Sequence, residues 1–289
     1  MTVNKISVLI PTLNRAAYLD RLLRSLDRQT LGEEIDCIIS DNNSSDHTKE
    51  IVDKWEAAES LNIIYLKNKR TIPPIENWRI LVEKSNTEYS KFVFDDDWLE
   101  DTCLEQMLYL IEDKKVETVI SNYNISLEDS NSELVELKKD YLDKQSRYLK
   151  KEDVIDFFLL KGRVINVSPT GALFRTKTMK EAFYFSIKEG SVCSEKGIGN
   201  DLIMNFYTLF KEQNVFYTSE SLVNVSAHPE SITVKTDDRV TYYCYLKSLN
   251  KLLKRFSTKL NIKQRRALLS RLLIYRIRSF YKPKFDAGI

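Results

Sequence analysis

Short apolar runs alternate with helical stripes along the first half of the chain. ISVLIPT (6–12), IDCIISD (35–41), NIIYLKN (62–68), YSKFVF (89–94) and VETVISNYNIS (116–126) are apolar, β-branched runs of strand length. Between them apolar residues recur at helical spacing: Leu19, Leu22, Leu23 and Leu26, then Ile51, Val52 and Trp55, then Trp78, Leu81 and Val82, then Leu104, Met107, Leu108 and Ile111. Strands alternating with helices of about 10–15 residues predict βαβ units and an α/β fold with a mostly parallel sheet flanked by helices. Parallel strands are covered on both faces, which accounts for their nearly continuous apolar character. Ligands of such sheets bind beyond the carboxyl ends of the strands. The polar residues that follow the runs, Thr12, Asn14, Asp41 and the triplet Asp95, Asp96 and Asp97, are therefore expected along one edge.

Beyond residue 126 the pattern loosens. Residues 127–150 are polar and highly charged and read as a surface excursion. A helix is expected over 152–161, followed by VSPTGALFR (167–175), where Gly171 allows close backbone approach. The Gly- and Ser-containing stretch 190–199 reads as a mobile lid, and a helix runs from GND (199–201) to 212. NVFYTSESLVNVSAHPES (214–231) reads as two short strands. From about residue 238 the pattern is helical, with Leu249, Leu252, Leu253, Phe256, Leu268, Leu269, Leu272, Leu273 and Ile277 on apolar stripes.

Charge changes the picture of this last region. The chain as a whole carries +2, yet residues 240–289 hold 13 Lys and Arg against one Asp, so the preceding body is acidic. Basic amphipathic helices of this kind fit an anionic membrane surface, and packing on the body or on a second subunit is equally compatible. No helix-turn-helix, zinc or RNA-binding motif accompanies the charge, so no nucleic-acid partner is expected. No apolar run approaches the roughly 20 residues that span a bilayer, and the N-terminus lacks a signal-peptide pattern. Cys37, Cys103, Cys193 and Cys244 form no CxxC pair, so neither a zinc site nor a disulfide framework is expected. A cytoplasmic protein, peripheral on the inner face of the membrane, fits these features.

FVFDDDW (92–98) carries the strongest chemical signal. Alternate side chains of an extended segment share a face, so Asp95 and Asp97 are expected to converge while Asp96 turns elsewhere. Two convergent carboxylates suit a hard divalent cation, Mn²⁺ or Mg²⁺. The same acids would also serve as solvated caps on the following helix.

SVLIPTLNR (7–15), IISDNNSSDHT (38–48), TEYSKFVFDDDWL (87–99) and GND (199–201), in this order and spacing, resemble the family-2 inverting glycosyltransferases of the GT-A fold. The resemblance covers about residues 5–230. It implies a Rossmann-like GT-A domain over 1–236, with a nucleotide-binding half (1–126) and an acceptor half (127–236). Residues 237–289 then form a basic helical C-terminal extension. It implies that Pro11, Thr12, Asn14 and Arg15 lie at the donor nucleotide, that Asp41 accepts a hydrogen bond from the uracil ring, and that Asp96 contacts the ribose. Asp97 and Asp95 are implied as metal ligands, with His228 completing the site, and the metal bridges the donor diphosphate. The resemblance further implies a nucleotide-sugar donor, UDP-linked, and a glycan acceptor, including one carried on polyprenyl diphosphate as in bacterial surface polysaccharide synthesis.

Two motifs depart from the family pattern. Adjacent acids followed by Gly-Ser are replaced by Asp41-Asn42-Asn43-Ser44, and an Arg-Asn pair by Trp78-Arg79, leaving Asn77 or Arg79 to reach the donor. Inverting transfer needs a general base for the acceptor hydroxyl. The family places it in an acidic pair opening a helix, here Asn200-Asp201, which leaves Asp201. A helix cap is the plain alternative for Asp201. Two other classes share parts of this pattern. A nucleotidyltransferase would need a Gly-rich phosphate loop where PTLNR stands, and an inactive nucleotide-sugar or membrane-binding scaffold would not need all four acids.

Overall fold

The computed structural model describes residues 5–32, 34–129, 134–140, 142–161, 168–187, 197–229, 231 and 238–280. The first half follows the predicted alternation: β1 (Ile6–Thr12), α1 (Ala16–Asp27), β2 (Ile35–Asp41), α2 (Thr48–Ala58), β3 (Asn62–Lys67), α3 (Pro74–Lys84) and β4 (Tyr89–Phe92). A two-strand-residue β5 (Trp98–Leu99), α4 (Cys103–Asp113) and β6 (Thr118–Glu128) follow. Side chains of β1 divide by the period of two: Ile6, Val8 and Ile10 join one core and Leu9 the other. Helices α1, α2 and α4 cover the first of these faces and α3 the second.

The second half differs from the sequence expectation in three places. The charged stretch 127–150 contains β7 (Leu134–Asp140), paired with β6, and β8 (Arg147–Tyr148). After α5 (Lys151–Asp156), a π turn (Phe157–Lys161) and a 3-10 turn (Pro169–Gly171), the segment ALFR forms β9 (Ala172–Arg175). β9 lies between β4 and β6 and is antiparallel to both, giving the order β3-β2-β1-β4-β9-β6-β10-β5. Helix α6 (Thr176–Ile187) and helix α7 (Asn200–Phe210) follow. The two short strands expected over 214–231 are one strand, β10 (Val215–Ala227), parallel to β6 with register shifts between Thr218 and Val223. The sheet is therefore parallel from β3 to β4 and mixed beyond.

Helix α7 explains the fate of the C-terminal region. Its side chains Leu202, Ile203, Met204, Phe206, Leu209 and Phe210 are buried nearly all round the helix. A helix apolar on all sides must be covered on all sides. The sheet covers one side and α8 (Asp238–Arg255) another, through Tyr242, Tyr245, Leu246, Leu249, Leu252 and Leu253. The first helix of the basic tail is thus part of the core and not an appendage. Helix α9 (Ile262–Phe280) keeps an outer apolar face among the described residues, with Leu268 buried but Ile262, Leu269 and Leu273 exposed. Among the described residues no helix is long and apolar enough to cross a membrane. Cys37 and Cys103 are free and buried, whereas Cys244 is disulfide-bonded, contrary to the expectation of unpaired cysteines.

Candidate active site

A cavity of about 610 Å³ opens beyond the carboxyl ends of the parallel strands. Its walls include Pro11, Thr12 and Arg15 from the β1–α1 turn, Asn77 and Trp78 from α3, and Asp95, Asp96 and Asp97. Asp201 from α7, Ser226 from β10 and Tyr245 from α8 complete the lining. Residues more than 100 positions apart thus meet at one edge, as the strand argument requires.

The turns that follow β1 and β2 are locked by asparagines. Asn14 and Asn43 take left-handed φ values of 54° and 71°, a conformation that Asn tolerates better than most residues. The Asn14 amide donates to Ser44 Oγ at 2.8 Å, and the Ser45 amide donates to Asn14 Oδ1 at 2.8 Å. Asn14 therefore joins two turns and is not among the cavity-lining residues. Asp41 is fully buried, accepting from the Ser44 amide at 2.7 Å and from Tyr65 Oη at 2.6 Å. Its carboxylate is occupied by the protein, and its neighbour Asn42 is the residue that reaches the wall. Arg79 lies on the exposed face of α3, paired with Glu76 at 2.5 Å, and does not reach the cavity. Of the two donor candidates on α3, only Asn77 faces inward, its amide donating to the Ser40 carbonyl at 2.9 Å.

The acidic triplet is a turn, not an extended strand. The Asp97 amide donates to the Phe94 carbonyl at 3.0 Å, closing a four-residue turn, so strand alternation does not govern the side chains. Arg15 Nη1 donates to both Asp95 Oδ1 (2.9 Å) and Asp96 Oδ2 (2.6 Å). Asp96 Oδ2 also lies 3.1 Å from His228 Nε2. Asp97 sits apart, accepting from Thr170 Oγ1 at 2.6 Å and from the Ser226 amide at 3.0 Å. His228 is buried, stacked on Tyr18 at 4.7 Å, and meets Asp96 from behind instead of lining the cavity.

Burial decides the electrostatics. It works against the Arg15 charge, yet Asp95 and Asp96 more than offset this and its pKa is raised. Burial also pushes up Asp97 and, despite Arg15, Asp95. Asp96 is lowered, because its contacts with His228 and Arg15 outweigh burial. Three buried carboxylates against one guanidinium leave negative charge that a divalent cation would offset. Among the described residues no trio of His, Cys, Asp and Glu side chains converges on one point. The donor set thus fits an ion held by one or two carboxylates that takes its remaining oxygens from a diphosphate.

Asp201 lines the same cavity from the first turn of α7. Its Oδ1 accepts the amides of Gly199 and Leu202, each at 2.8 Å, and its Oδ2 accepts Tyr245 Oη at 2.8 Å. Burial among protein atoms outweighs these three hydrogen bonds and pushes its carboxyl up to about 7. A carboxyl poised near neutrality, partly open to a cavity, is suited to take a proton. The alternative of a cap and the role of a base are not exclusive here, since Oδ1 caps while Oδ2 keeps a free lone pair.

Residues 7–183 match the family model described as glycosyl transferase family 2. The chain belongs to that family. Similar curated proteins include the abequosyltransferase RfbV of Salmonella typhimurium, 38% identical over 95 residues, which covers 32% of this chain and 28% of that protein. The GalNAc(5)-diNAcBac-PP-undecaprenol beta-1,3-glucosyltransferase of Campylobacter jejuni is 28% identical over 182 residues, covering 62% and 56% of the two chains. The matched part is therefore less than two thirds of these relatives' lengths. In the solved structure of Staphylococcus aureus TarS 1–349 in complex with UDP-GlcNAc, the fold superposes with a TM-score of 0.59 at 16% identity, over 94% of this chain and 80% of that one. The fold of this family-2 member is GT-A: a central sheet flanked by helices, with the site at its carboxyl edge.

Within this family member several site residues carry no signal legible beforehand. Thr170 stands in SPTG, where only Gly171 invites notice. Gly171 itself packs toward Tyr123, since a Cβ there would lie 3.3 Å from that ring. The turn is held by Lys91, fully buried, whose Nζ donates to the carbonyls of Thr170 and Ala172. Burial lowers the Lys91 pKa. Trp78 presents periodicity as a core residue but also walls the cavity, against Phe94 at 5.3 Å. Tyr245 lies in the basic tail, far from any motif. The lid expected over 190–199 falls mostly outside the described residues.

Proposed function

We propose that this protein transfers a sugar, with inversion, from a nucleotide-sugar to a hydroxyl of a glycan acceptor. The observation that carries the reading is that Asp201 lines one cavity together with Asp95, Asp96 and Asp97. An acceptor hydroxyl beside Asp201 and a leaving diphosphate beside the triplet would then flank the anomeric carbon, as inversion requires. Thr12, Pro11 and Arg15 border the nucleotide end, and Asn77 and Asn42 shape it. UDP is the favoured carrier, because a relative of the same fold is solved with UDP-GlcNAc. Asp97, with Asp95, would hold Mn²⁺ or Mg²⁺. When bound, that ion supplies Lewis-acid stabilisation of the departing diphosphate. Asp96 would contact the ribose, its orientation held by His228 and Arg15.

In the transfer step the acceptor oxygen forms a bond to the anomeric carbon as the bond from that carbon to the diphosphate oxygen breaks. The hydroxyl proton passes to Asp201 Oδ2, and the electron pair leaves with the nucleoside diphosphate. Gly199 and Leu202 hold the carboxylate in line through Oδ1. The acceptor is read as a glycan in bacterial surface polysaccharide synthesis, on a polyprenyl-diphosphate carrier, in keeping with the Campylobacter relative's name. On this reading α9 lies on the inner face of an anionic membrane, with Ile262, Leu269 and Leu273 exposed among Lys263, Arg265 and Arg266. A panel of nucleotide-sugars incubated with Mn²⁺ tests the function. Slow release of nucleoside diphosphate from one donor is expected, and absence of both binding and release across UDP, GDP and dTDP sugars would sink it. Cosedimentation with phosphatidylglycerol vesicles, but not phosphatidylcholine vesicles, tests the membrane placement.

A further inference from the structure

Asp201 itself lies beyond the segment that matches the family, and the side chain that orients it lies further along the chain still. Residues 7–183 carry the family match, yet the oxygen of Asp201 that takes the proton is oriented by a helix near the C-terminus. We propose that Tyr245 of α8 is a positioning residue that aims Asp201 Oδ2 at the acceptor and sets the pH at which transfer begins. The inference rests on Asp201 being the base.

Three observations support it. Tyr245 Oη donates to Asp201 Oδ2 at 2.8 Å, while both donors on Oδ1 are backbone amides. Tyr245 is therefore the only side chain seen to donate to this carboxylate among the described residues. The two helices are brought together at a glycine. Gly199, at φ 90°, precedes α7, and a Cβ there would lie 2.5 Å from Ser248 Oγ and 3.1 Å from the Cys244 carbonyl of α8. No larger residue permits that approach. The Tyr245 ring is itself held, buried against Phe158 at 6.2 Å between centroids, so its hydroxyl has little freedom to turn away.

Few other charges face Asp201. Helix α7 carries no second acid or base, since Tyr207 is its only other titratable side chain. On α8 the contact is Tyr245, and the group acting on Tyr245 from β6 is Tyr123. The same cavity is lined by Asp95, Asp96, Asp97 and Arg15. A hydrogen bond to the charged form favours that form. Removing the Tyr245 hydroxyl consequently leaves Asp201 more reluctant to lose its proton.

Tyr245→Phe tests the inference in the full chain. The acid limb of the kcat–pH profile is expected to move to higher pH by about one unit, with kcat recovering toward the wild-type plateau in alkali. The KM for the nucleotide-sugar should stay within about twofold, which also reports that the variant is folded. Replacing Tyr245 with 3-fluorotyrosine, a stronger donor of nearly the same shape, should move the limb the other way. An unshifted limb with either replacement overturns the proposal. So does a raised acceptor KM without a pH shift, which would make Tyr245 an acceptor contact. If Asp201→Asn retains transfer, the reading of the base fails instead, and the two failures are distinguishable.

Discussion

Replacing Asp201 by Asn is expected to abolish transfer and, above neutrality, to stabilise the fold. Asn keeps an oxygen for the Gly199 and Leu202 amides, so the first turn of α7 stays capped. What is lost is the ability to accept a proton, which costs about 10²–10⁴-fold in rate. The stability effect follows from burial, which lifts the carboxyl from 3.8 to about 7. The folded state then binds this proton more tightly than the unfolded state between those limits. The contribution favours folding below about pH 4 and is lost progressively as pH rises through about 7. At about 1.36 kcal/mol per unit the full span is at most about 4 kcal/mol, and water in the cavity reduces it to about 1–2 kcal/mol. Asn carries no such penalty. Chemical unfolding at pH 8.5 should show the variant more stable by about 1–2 kcal/mol, with the advantage shrinking by about half at pH 5.5. Nucleoside diphosphate release in the presence of acceptor reports transfer. The wild-type rate should fall to about a tenth of its plateau at pH 6. Transfer within tenfold of wild type, or a stability advantage over wild type no larger at pH 8.5 than at pH 5.5, would falsify the assignment of a buried, raised base.

Other perturbations separate the roles of the remaining residues. Asp97→Asn should weaken Mn²⁺-dependent binding of the nucleotide-sugar by about 100-fold in calorimetry while metal-free binding changes little, because the loss is of one charged metal ligand. Gly199→Ala should destabilise the fold by about 2–4 kcal/mol in urea, since its Cβ meets Ser248 Oγ at 2.5 Å and its φ is 90°. A variant as stable as wild type would show that α8 does not need that approach. Arg15→Ala is expected to depress donor binding at least tenfold by leaving Asp95 and Asp96 buried without their cation. Arg79→Ala, on the outer face of α3, should change kinetic constants less than twofold.

The parallel half of the sheet was legible because strand and helix periods differ, and β1, β2 and β4 are almost wholly buried and mostly apolar, while the edge strand β3 is half-exposed. β9 was not, since ALFR is four residues long and its place between β4 and β6 depends on pairing with distant strands. β7 was hidden for the opposite reason: LVELKKD lies at an exposed position where no apolar face is demanded. The chemistry divides in the same way. The presence of Asp95, Asp96, Asp97 and Asp201 could be read from local motifs. How they are used could not, because the triplet forms a turn whose side chains are sorted by Arg15, His228, Thr170 and Ser226.

Local sequence thus determined the βαβ architecture, the edge where ligands gather and the acids that gather there, since each rests on periodicity or on residues adjacent in the chain. Tertiary structure alone decided that Asp41 and Arg79 stay out of the cavity and that Tyr245 enters it. Those outcomes depend on which carboxylate finds a buried partner, which face of α3 meets the sheet, and the need of an all-round apolar α7 for a covering helix. Partners and covers of that kind come from residues far apart in the chain, and only their packing brings them into contact.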